Sequence, residues 1–277
     1  MTTESIKKAS GLGERAASLL ITLAGEGKRI FDTREAHEVL GDSRSATYKL
    51  LHDLVRKGWL QSLGKGQYLI IPLEAGPERR YTVSGFLVAH HLAPDGYIAY
   101  WTALHHHGLT EQIPRTIWVA TPNRRSARTI SGVEYEFVTL QPYKIFGQQS
   151  VWIEGESVPV ADLEKSLVDG LDHPKYCGGI GEVSKALHTA WAEQDVDLEQ
   201  LTKYAHRMRN RAILKRLGYL VERLSLSAEG FTEMWQGALS KGYAQLDPTR
   251  PAGGRFDGRW RVQVNVPEAE LIGWMEI

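Results

Sequence analysis

A capped helix followed directly by a tight hairpin is predicted over residues 41–70, and this combination leaves few folds open to the chain. Ser43 suits an N-cap, and the apolar spacing predicts a helix that ends at Gly58 in a left-handed conformation. The apolar runs 59–63 and 67–71 predict two strands joined by Gly64-Lys65-Gly66. The predicted buried side of the helix consists of Ala46, Leu50, Leu51, Leu54 and Val55. Its other side carries Arg44, Ser45, Thr47, Tyr48, Lys49, His52 and Arg56.

Two further helices are predicted before this one. Apolar residues at three-and-four spacing from Ala16 to Leu23 predict a first helix over 14–24. Asp32 followed by Glu35 has the pattern of a capping box, and the helix that it opens stops at Gly41. Three short helices and a hairpin resemble a winged helix-turn-helix, in which the last helix enters the major groove and the hairpin reaches phosphate or the minor groove.

This resemblance implies DNA contacts for the third helix and for the hairpin tip. The residues expected at base edges are Ser45, Tyr48, Lys49 and His52, and those expected at phosphates are Arg44, Arg56 and Lys65. A surface helix that is merely solvated has the same polar face, so this alternative stays open here. Residues 1–75 contain 11 basic and 9 acidic side chains. Because so small an excess releases few counterions from DNA, we expect dimerisation or the second domain to strengthen binding.

The length and composition of the chain predict two domains. The polar segment around Gly76 and Pro77 marks a boundary, with residues 1–78 as the winged helix-turn-helix and 79–277 as a larger domain. Lys plus Arg and Asp plus Glu are equal at 33 each, so no global charge excess indicates nucleic acid or a membrane. One cysteine, no apolar signal segment and no apolar run of about 18 residues predict a cytoplasmic protein without disulfides.

The larger domain is predicted to mix helices and strands without the regular alternation of a nucleotide-binding sheet. Helices are predicted over 84–92 and 98–107, and strands over 116–121, 133–139 and 151–160. A helical region follows from 162 into the 230s, and 259–266 alternates as a late strand. The predicted fold class is α+β, with an N-terminal winged helix-turn-helix followed by a larger mixed α+β domain.

Two groups of residues raise the question of metal-dependent chemistry. His105, His106 and His107 are consecutive on a predicted helix and point about 100° apart, so at most two reach one ion. Neither a helix N-terminus nor a basic neighbour is compelling enough to make Cys177 a nucleophile. We predict no catalytic residue, no metal, no cofactor and no enzymatic activity. The alternative of a metal-dependent nuclease fused to a DNA-binding domain rests on Glu134, Glu136, Glu154, Glu156, Asp162, Glu164 and Asp169.

Basic side chains are concentrated in two places of the larger domain. Between residues 201 and 224, seven basic side chains face one acidic side chain, whereas residues 154–172 have six acidic and one basic. The basic run is interpreted as a surface for phosphate or a partner; a solvated face, or neutralisation by the acidic segment, are the alternatives. The candidate phosphate or partner contacts are Arg124, Arg125, Arg128, Lys203, Arg207, Arg211 and Lys215.

Four segments in a fixed order resemble the abortive-infection antitoxins of the AbiEi type. The first is YIAYWTALHHHGLTEQIPRTIWVAT, residues 97–121. The second is 160–171 with Cys177-Gly178-Gly179-Ile180, and the third is LKRLGYLVERL, residues 214–224. The fourth is Leu246-Asp247-Pro248 with the closing Trp-x-Val-x-x-Asn strand.

This resemblance implies an N-terminal winged helix and a larger C-terminal antitoxin domain. It also implies a transcriptional autorepressor that binds double-stranded DNA at inverted repeats in its own promoter. The C-terminal domain is then expected to counteract a nucleotidyltransferase-like toxin in a type IV toxin-antitoxin system, without requiring a stable complex. An orphan winged-helix regulator without a toxin is the alternative.

Overall fold

The structure is a computed structural model that describes residues 12–72, 75, 81 and 83–276. The chain divides into two units: the first extends to Leu92 and includes 153–156, and the second consists of Ala93–Trp152 and the residues from Ser157 onward. The boundary predicted between residues 78 and 79 lies outside the described residues.

The first unit packs three helices against a three-stranded antiparallel sheet in the order β1, β3, β2. Its core is formed by α1, α2 and α3 around Leu19, Leu23, Phe31 and Leu51, all of which are fully buried. The elements are α1 Glu14–Gly25, β1 Ile30–Asp32, α2 Thr33–Leu40, α3 Arg44–Arg56, β2 Leu60–Gly64, β3 Gln67–Ile70 and α4 Gly85–Leu92.

The predicted helix signals of this unit are confirmed, and one strand was missed. Asp32 accepts from Glu35 N at 2.9 Å, and the Glu35 carboxylate accepts from Asp32 N at 2.8 Å, which is the predicted capping box. Gly41 and Gly58 adopt the positive φ values expected of residues that follow helices. The missed strand β1 pairs with β3 through the register Phe31↔Tyr68. Three residues are too few to produce an alternating pattern, so the sequence did not indicate this strand.

Replacing Asp32 by alanine is expected to lower the free energy of unfolding by about 1 kcal/mol, because the Glu35 amide hydrogen at the start of α2 loses its carboxylate acceptor. Glu38→Ala, at an exposed position of the same helix, is the matched control and should change stability by no more than about 0.5 kcal/mol. Urea unfolding measures both. Equal losses in the two variants would contradict the capping role.

The second unit is built on a six-stranded mixed sheet in the order β6, β7, β5, β4, β9, β8. Its strands are β4 Tyr97–Ile98, β5 Thr116–Thr121, β6 Arg128–Ile130, β7 Val133–Thr139, β8 Gln148–Ile153 and β9 Glu156–Ala161. Its helices are α5 Tyr100–His106, α6 Leu163–Asp172, α7 Ile180–Glu193, α8 Leu198–Arg207, α9 Ala212–Arg223, α10 Phe231–Gly237 and α11 Glu268–Ile272. The predicted α+β class, with a winged helix before a larger mixed domain, is confirmed.

Two predicted strands and one predicted helix boundary in this unit differ from the structure. The single strand predicted over 151–160 is a hairpin, because Glu154 and Gly155 both take positive φ and reverse the chain between β8 and β9. Tyr97 and Ile98 form a short strand, and the helix predicted to begin at Ile98 begins at Tyr100. The predicted strand over 259–266 is reduced to β12 Val262–Val264, which belongs to a small sheet with β10 Ala244–Gln245 and β11 Arg255–Asp257.

Helix α6 forms the centre of the second unit. Every residue from Glu164 to Asp172 is buried, including Lys165 and Asp169, which pair with each other one helical turn apart. The Tyr97 hydroxyl donates to Asp169 at 2.9 Å. A helix that is polar in sequence is therefore buried on all sides, because its charges are paired within the unit.

Candidate nucleic-acid interface

Helix α3 turns one side into the core of the first unit and leaves the other exposed. Ser43 caps it by accepting from Ala46 N at 3.3 Å, as predicted. Thr47, predicted on the exposed side, is fully buried, and its hydroxyl lies 3.5 Å from His37 Nδ1 of α2. The prediction at Thr47 was wrong because threonine carries a methyl group that packs where two helices approach closely. The buried side follows Thr47, Leu51 and Leu54, and Ala46, Leu50 and Val55 are only partly buried.

The exposed side of α3 forms a single stripe along the helix. Tyr48 is 55% exposed, which places a large aromatic ring in solvent at the middle of the stripe. Positions separated by three, four, seven and eleven residues share one helical face. We call this face the α3 stripe; it consists of Ser45, Tyr48, Lys49, His52 and Arg56, and Arg44 is exposed beside it.

The hairpin tip is held in place by a contact that sequence reasoning did not find. Thr33, the first residue of α2, donates from its amide and its hydroxyl to Gly66 O at 2.8 and 3.0 Å. A Cβ on Gly66, whose φ is +76°, would lie 2.7 Å from the Thr33 hydroxyl. Lys65 also has a positive φ and is exposed at the tip. The interaction joins residues 33 positions apart, so no local pattern indicates it.

Ion pairs remove most of the acidic charge of the first unit but leave three cations uncompensated. Arg15 pairs with Asp42, Lys28 pairs with Glu35 at 3.0 Å and with Glu26, and Arg56 pairs with Asp53 at 2.8 Å. Among the described residues, no carboxylate lies at ion-pair distance from Arg44, Lys49 or Lys65. The modest net charge of this unit is therefore concentrated along α3 and at the hairpin tip. Arg56 contributes less, because Asp53 partly neutralises it.

The basic residues predicted in the second unit lie in different surroundings. Arg124 is exposed, Arg128 is partly exposed, and Arg125 pairs with Asp95 at 2.5 Å. Lys203, Arg207 and Arg211 are exposed, and the Arg207 guanidinium stacks 4.0 Å from the centre of the Phe146 ring. Within the described residues, no ion pair joins the acidic segment 154–172 to these exposed bases of α8 and the α9 turn. Among the residues that the structure describes, mutual neutralisation by ion pairs is therefore absent for these exposed bases, whereas the buried Arg216 of the same run lies against Asp172.

Two basic residues of the run are buried. Lys215 is 3% exposed and donates to Gly242 O, so the predicted surface contact at Lys215 is not supported. Arg216 donates to Leu171 O at 2.6 Å, at the end of α6, and to Gln245 O at 3.1 Å. Helix α9 is buried on every side from Ile213 to Val221, and backbone carbonyls of neighbouring segments accept the hydrogens of both side chains.

The residues considered for metal chemistry serve other contacts. His107 Nε2 donates to Ala161 O at 2.8 Å, and Glu134 accepts from Thr116 Oγ1 at 3.0 Å. Asp162 caps α6 and accepts from the Tyr204 hydroxyl at 2.9 Å. Burial raises the pKa of the Cys177 thiol well above its ordinary value, which opposes formation of a thiolate. Within the described residues, no three His, Cys, Asp or Glu side chains are grouped as a metal ion requires.

Comparison with known families matches both units. The family model described as "Transcriptional regulator, AbiEi antitoxin" matches residues 18–71, and the one described as "AbiEi antitoxin C-terminal domain" matches residues 97–223. The chain belongs to the AbiEi antitoxin family. The predicted resemblance is confirmed, and the role of this AbiEi antitoxin is that of an antitoxin and transcriptional regulator.

A solved structure supports the fold of this AbiEi antitoxin. The crystal structure of the RV2827C protein from Mycobacterium tuberculosis matches with a TM-score of 0.66 and 16% sequence identity, over 96% of each chain. At that identity the likeness concerns the fold alone. No curated protein matches the sequence significantly. Within its described residues, the antitoxin contains no helix long and apolar enough to cross a membrane.

Proposed function

We propose that this AbiEi antitoxin represses its own transcription by inserting α3 into the major groove of inverted repeats in its promoter. The observation that supports this most is the α3 stripe, in which polar and aromatic side chains at helical spacing remain exposed. Lys49 suits the O6 and N7 acceptors of guanine, and the Tyr48 ring suits a thymine methyl group or a sugar. Ser45 and His52 occupy the same face and add donors and acceptors for base edges.

Phosphate contacts are proposed for the cations at the start of α3 and at the hairpin tip. Arg44 lies at the first turn of α3, and Lys65 lies at the hairpin tip that Thr33 holds. Arg56 is a weaker phosphate ligand while Asp53 accepts from it. Since each neutralised phosphate adds about 0.9 to the slope of log K against log salt, a single copy with so few cations binds weakly. Two copies on an inverted repeat double this number, which is the arrangement that palindromic sites require.

The C-terminal domain is proposed to counteract a nucleotidyltransferase-like toxin in the cytoplasm, as a non-enzymatic antitoxin of a type IV system. The exposed bases of the second unit that support a partner or phosphate surface are Arg124, Lys203, Arg207 and Arg211. Arg125 and Arg128 stay candidates next to them. Co-expression with the product of a neighbouring nucleotidyltransferase gene tests this part: restored growth supports the antitoxin role, and its absence favours the orphan regulator.

A gel shift of the purified protein on its own upstream DNA tests the repressor proposal. It is run at two salt concentrations, with a scrambled competitor and with magnesium present. Specific retention of intact DNA that weakens with salt supports the proposal. Absence of a specific shift would overturn it. Cleavage of the probe would instead support the alternative of a metal-dependent nuclease.

Lys49→Ala is expected to weaken operator binding by about 1–3 kcal/mol and to relax base preference, because a base contact is lost. Lys65→Ala is expected to weaken binding to every sequence alike and to lower the salt slope by about 1, because a phosphate contact is lost. Lys28→Ala is the matched control, since Lys28 is already paired with Glu35. Fluorescence anisotropy with operator and scrambled duplexes measures all three. Operator affinity that is unchanged in both test variants would overturn the assignment of DNA contacts to α3 and the hairpin tip.

A further inference from the structure

A second surface with its own chemistry lies on the small sheet of β10, β12 and β11. One face of this sheet is buried through Val262 and Val264. On the other face, the register places Gln245 beside Gln263 and Gln263 beside Phe256. Tyr243, two residues before Gln245, contacts the Phe256 ring on this same face. These residues follow residue 223, where the second family match ends.

The two aromatic rings on this face are largely exposed to solvent and are not part of the core of the second unit. Tyr243 is 52% exposed and Phe256 is 61% exposed. Their ring centres are 4.9 Å apart and the planes are inclined by 75°, which is an edge-to-face contact that stabilises the orientation of both rings. Each ring keeps part of its surface open to solvent. Gln263 lies next to the pair and is partly exposed, with no hydrogen-bond partner for its side-chain amide among the described residues.

The chain segment that forms this sheet is basic. Residues 240–266 contain five basic and two acidic side chains, and one of the acids, Asp247, is buried. Arg250 pairs with Glu270 and Arg259 with Glu222. In the part of the chain that the structure describes, no carboxylate lies at ion-pair distance from Lys241, Arg255, Arg261 or Arg211.

The pKa of the buried Lys215 amine reflects the positive charges near this sheet. Burial lowers the pKa of Lys215, and the charges of Arg261 and Arg211 lower it further. Lys215 donates to Gly242 O, directly before Tyr243 in the chain. Ala244, directly after Tyr243, donates from its amide to Arg261 O at 3.0 Å, so Arg261 lies next to the aromatic pair along the sheet.

We propose that this surface, the aromatic platform of Tyr243, Phe256, Gln263 and Arg261, binds unpaired bases of single-stranded RNA. Aromatic rings stack on the face of any base, while neighbouring cations follow the phosphate chain. Duplex DNA is not expected to bind this surface, because its bases are stacked on each other and cannot stack on the two rings. The Gln263 amide, which both donates and accepts, suits a ribose 2′-hydroxyl and favours RNA over DNA. Protein interfaces also combine aromatic residues with arginine, so the test below includes toxin neutralisation as the readout for a protein partner.

Fluorescence anisotropy of the full-length protein with a labelled, unstructured RNA of about ten nucleotides tests this proposal. Phe256→Ala and Tyr243→Ala are each expected to weaken binding roughly 5- to 100-fold, because one base loses its stacking partner. Tyr243→Phe retains the ring and should keep the affinity. Trp152→Ala removes an equally large aromatic side chain, 75% exposed, outside this sheet and is the matched control. Thermal unfolding of each variant verifies that it is folded.

The proposal is overturned if RNA does not bind the wild-type protein, if both alanine variants bind it as tightly as wild type, or if single-stranded DNA of the same sequence binds more tightly. Loss of toxin neutralisation with unchanged RNA binding would also overturn it and assign the surface to a protein partner. Operator duplex affinity should stay unchanged in Phe256→Ala and Tyr243→Ala. This readout separates the RNA platform from the repressor proposal, so either can fail alone.

Discussion

Replacing Lys165 by methionine is expected to lower the free energy of unfolding by about 3–5 kcal/mol, because the substitution leaves a buried carboxylate without its counter-ion. The Lys165 and Asp169 side chains are both 0% exposed and pair with each other across one turn of α6. The ammonium also lies 4.9 Å from the centre of the Phe146 ring and 5.2 Å from that of Tyr97. Burial lowers the pKa of Lys165 and raises that of Asp169, while the charge of each partner acts against these shifts. Each residue therefore depends on the other to remain charged in the interior.

Lys185→Met is the matched control for this prediction. Lys185 pairs with Glu182 at 3.2 Å on α7, but its side chain is 41% exposed. A pair of this kind contributes no more than about 1 kcal/mol. The double variant Lys165→Met/Asp169→Leu should lose less stability than Lys165→Met alone, because no charge remains buried. Urea unfolding of the four proteins measures these differences, and equal losses at Lys165 and Lys185 would contradict the role of the buried pair.

Replacing Trp260 by alanine is expected to cost about 3–5 kcal/mol of unfolding free energy, because it empties a large volume in the core of the second unit. Trp260 is 1% exposed, and its indole nitrogen donates to Glu222 at 2.6 Å. The ring lies directly on the backbone of α9, where a Cβ at Gly218 would be 2.0 Å from its nearest ring atom. Helix α9 and the indole approach this closely only because position 218 has no side chain.

Trp152→Ala is the control for this prediction as well, since the same side chain is removed from an exposed position. It should change stability by no more than about 0.5 kcal/mol. Gly218→Ala tests the same contact from the helix side: the added methyl group pushes the ring away and should cost about 1–3 kcal/mol, although alanine favours a helix. Thermal and urea unfolding measure both. A Trp260→Ala variant as stable as Trp152→Ala would show that the ring does not support the core.

These two predictions also separate folding from recognition. The residues of the α3 stripe and of the aromatic platform are exposed, so their substitution should alter binding with little change in unfolding. Lys165 and Trp260 are buried and should behave in the opposite way. A marked loss of unfolding free energy in a Lys49 variant would indicate a structural role for that residue, in place of a DNA contact.

Much of the winged helix was predictable from the sequence because its signals are local. Ser43, the Asp32–Glu35 pair and the glycines at 41, 58, 64 and 66 act within a few residues of the backbone that they shape. The exposed positions of the α3 stripe followed from helical periodicity. Thr47 was misplaced, because a polar residue on the border of an amphipathic helix is buried or exposed according to how the neighbouring helix approaches.

The basic run of the second unit was only partly predictable. Counting charges indicated a basic surface, yet Lys215 and Arg216 are buried and Arg223 pairs with Glu268. A count of charged residues cannot predict which side chains are exposed when the helix that carries them is buried on nearly every side. Lys203, Arg207 and Arg211 stay exposed because they lie on α8 and in the turn before α9.

The sequence by itself determined the three helices and the hairpin of the first unit, the helix caps, the tight turn at Lys65 and membership of the family. These features depend on hydrophobic period, capping and positive φ, which operate over a few neighbouring residues. The tertiary structure alone decided that Thr33 holds the wing, that Trp260 packs on Gly218, and that Tyr243 and Phe256 stand together on one face. Each of these contacts joins residues 13 or more positions apart. Such contacts leave no periodic signal, because they exist only after the intervening chain has folded and brought its ends together.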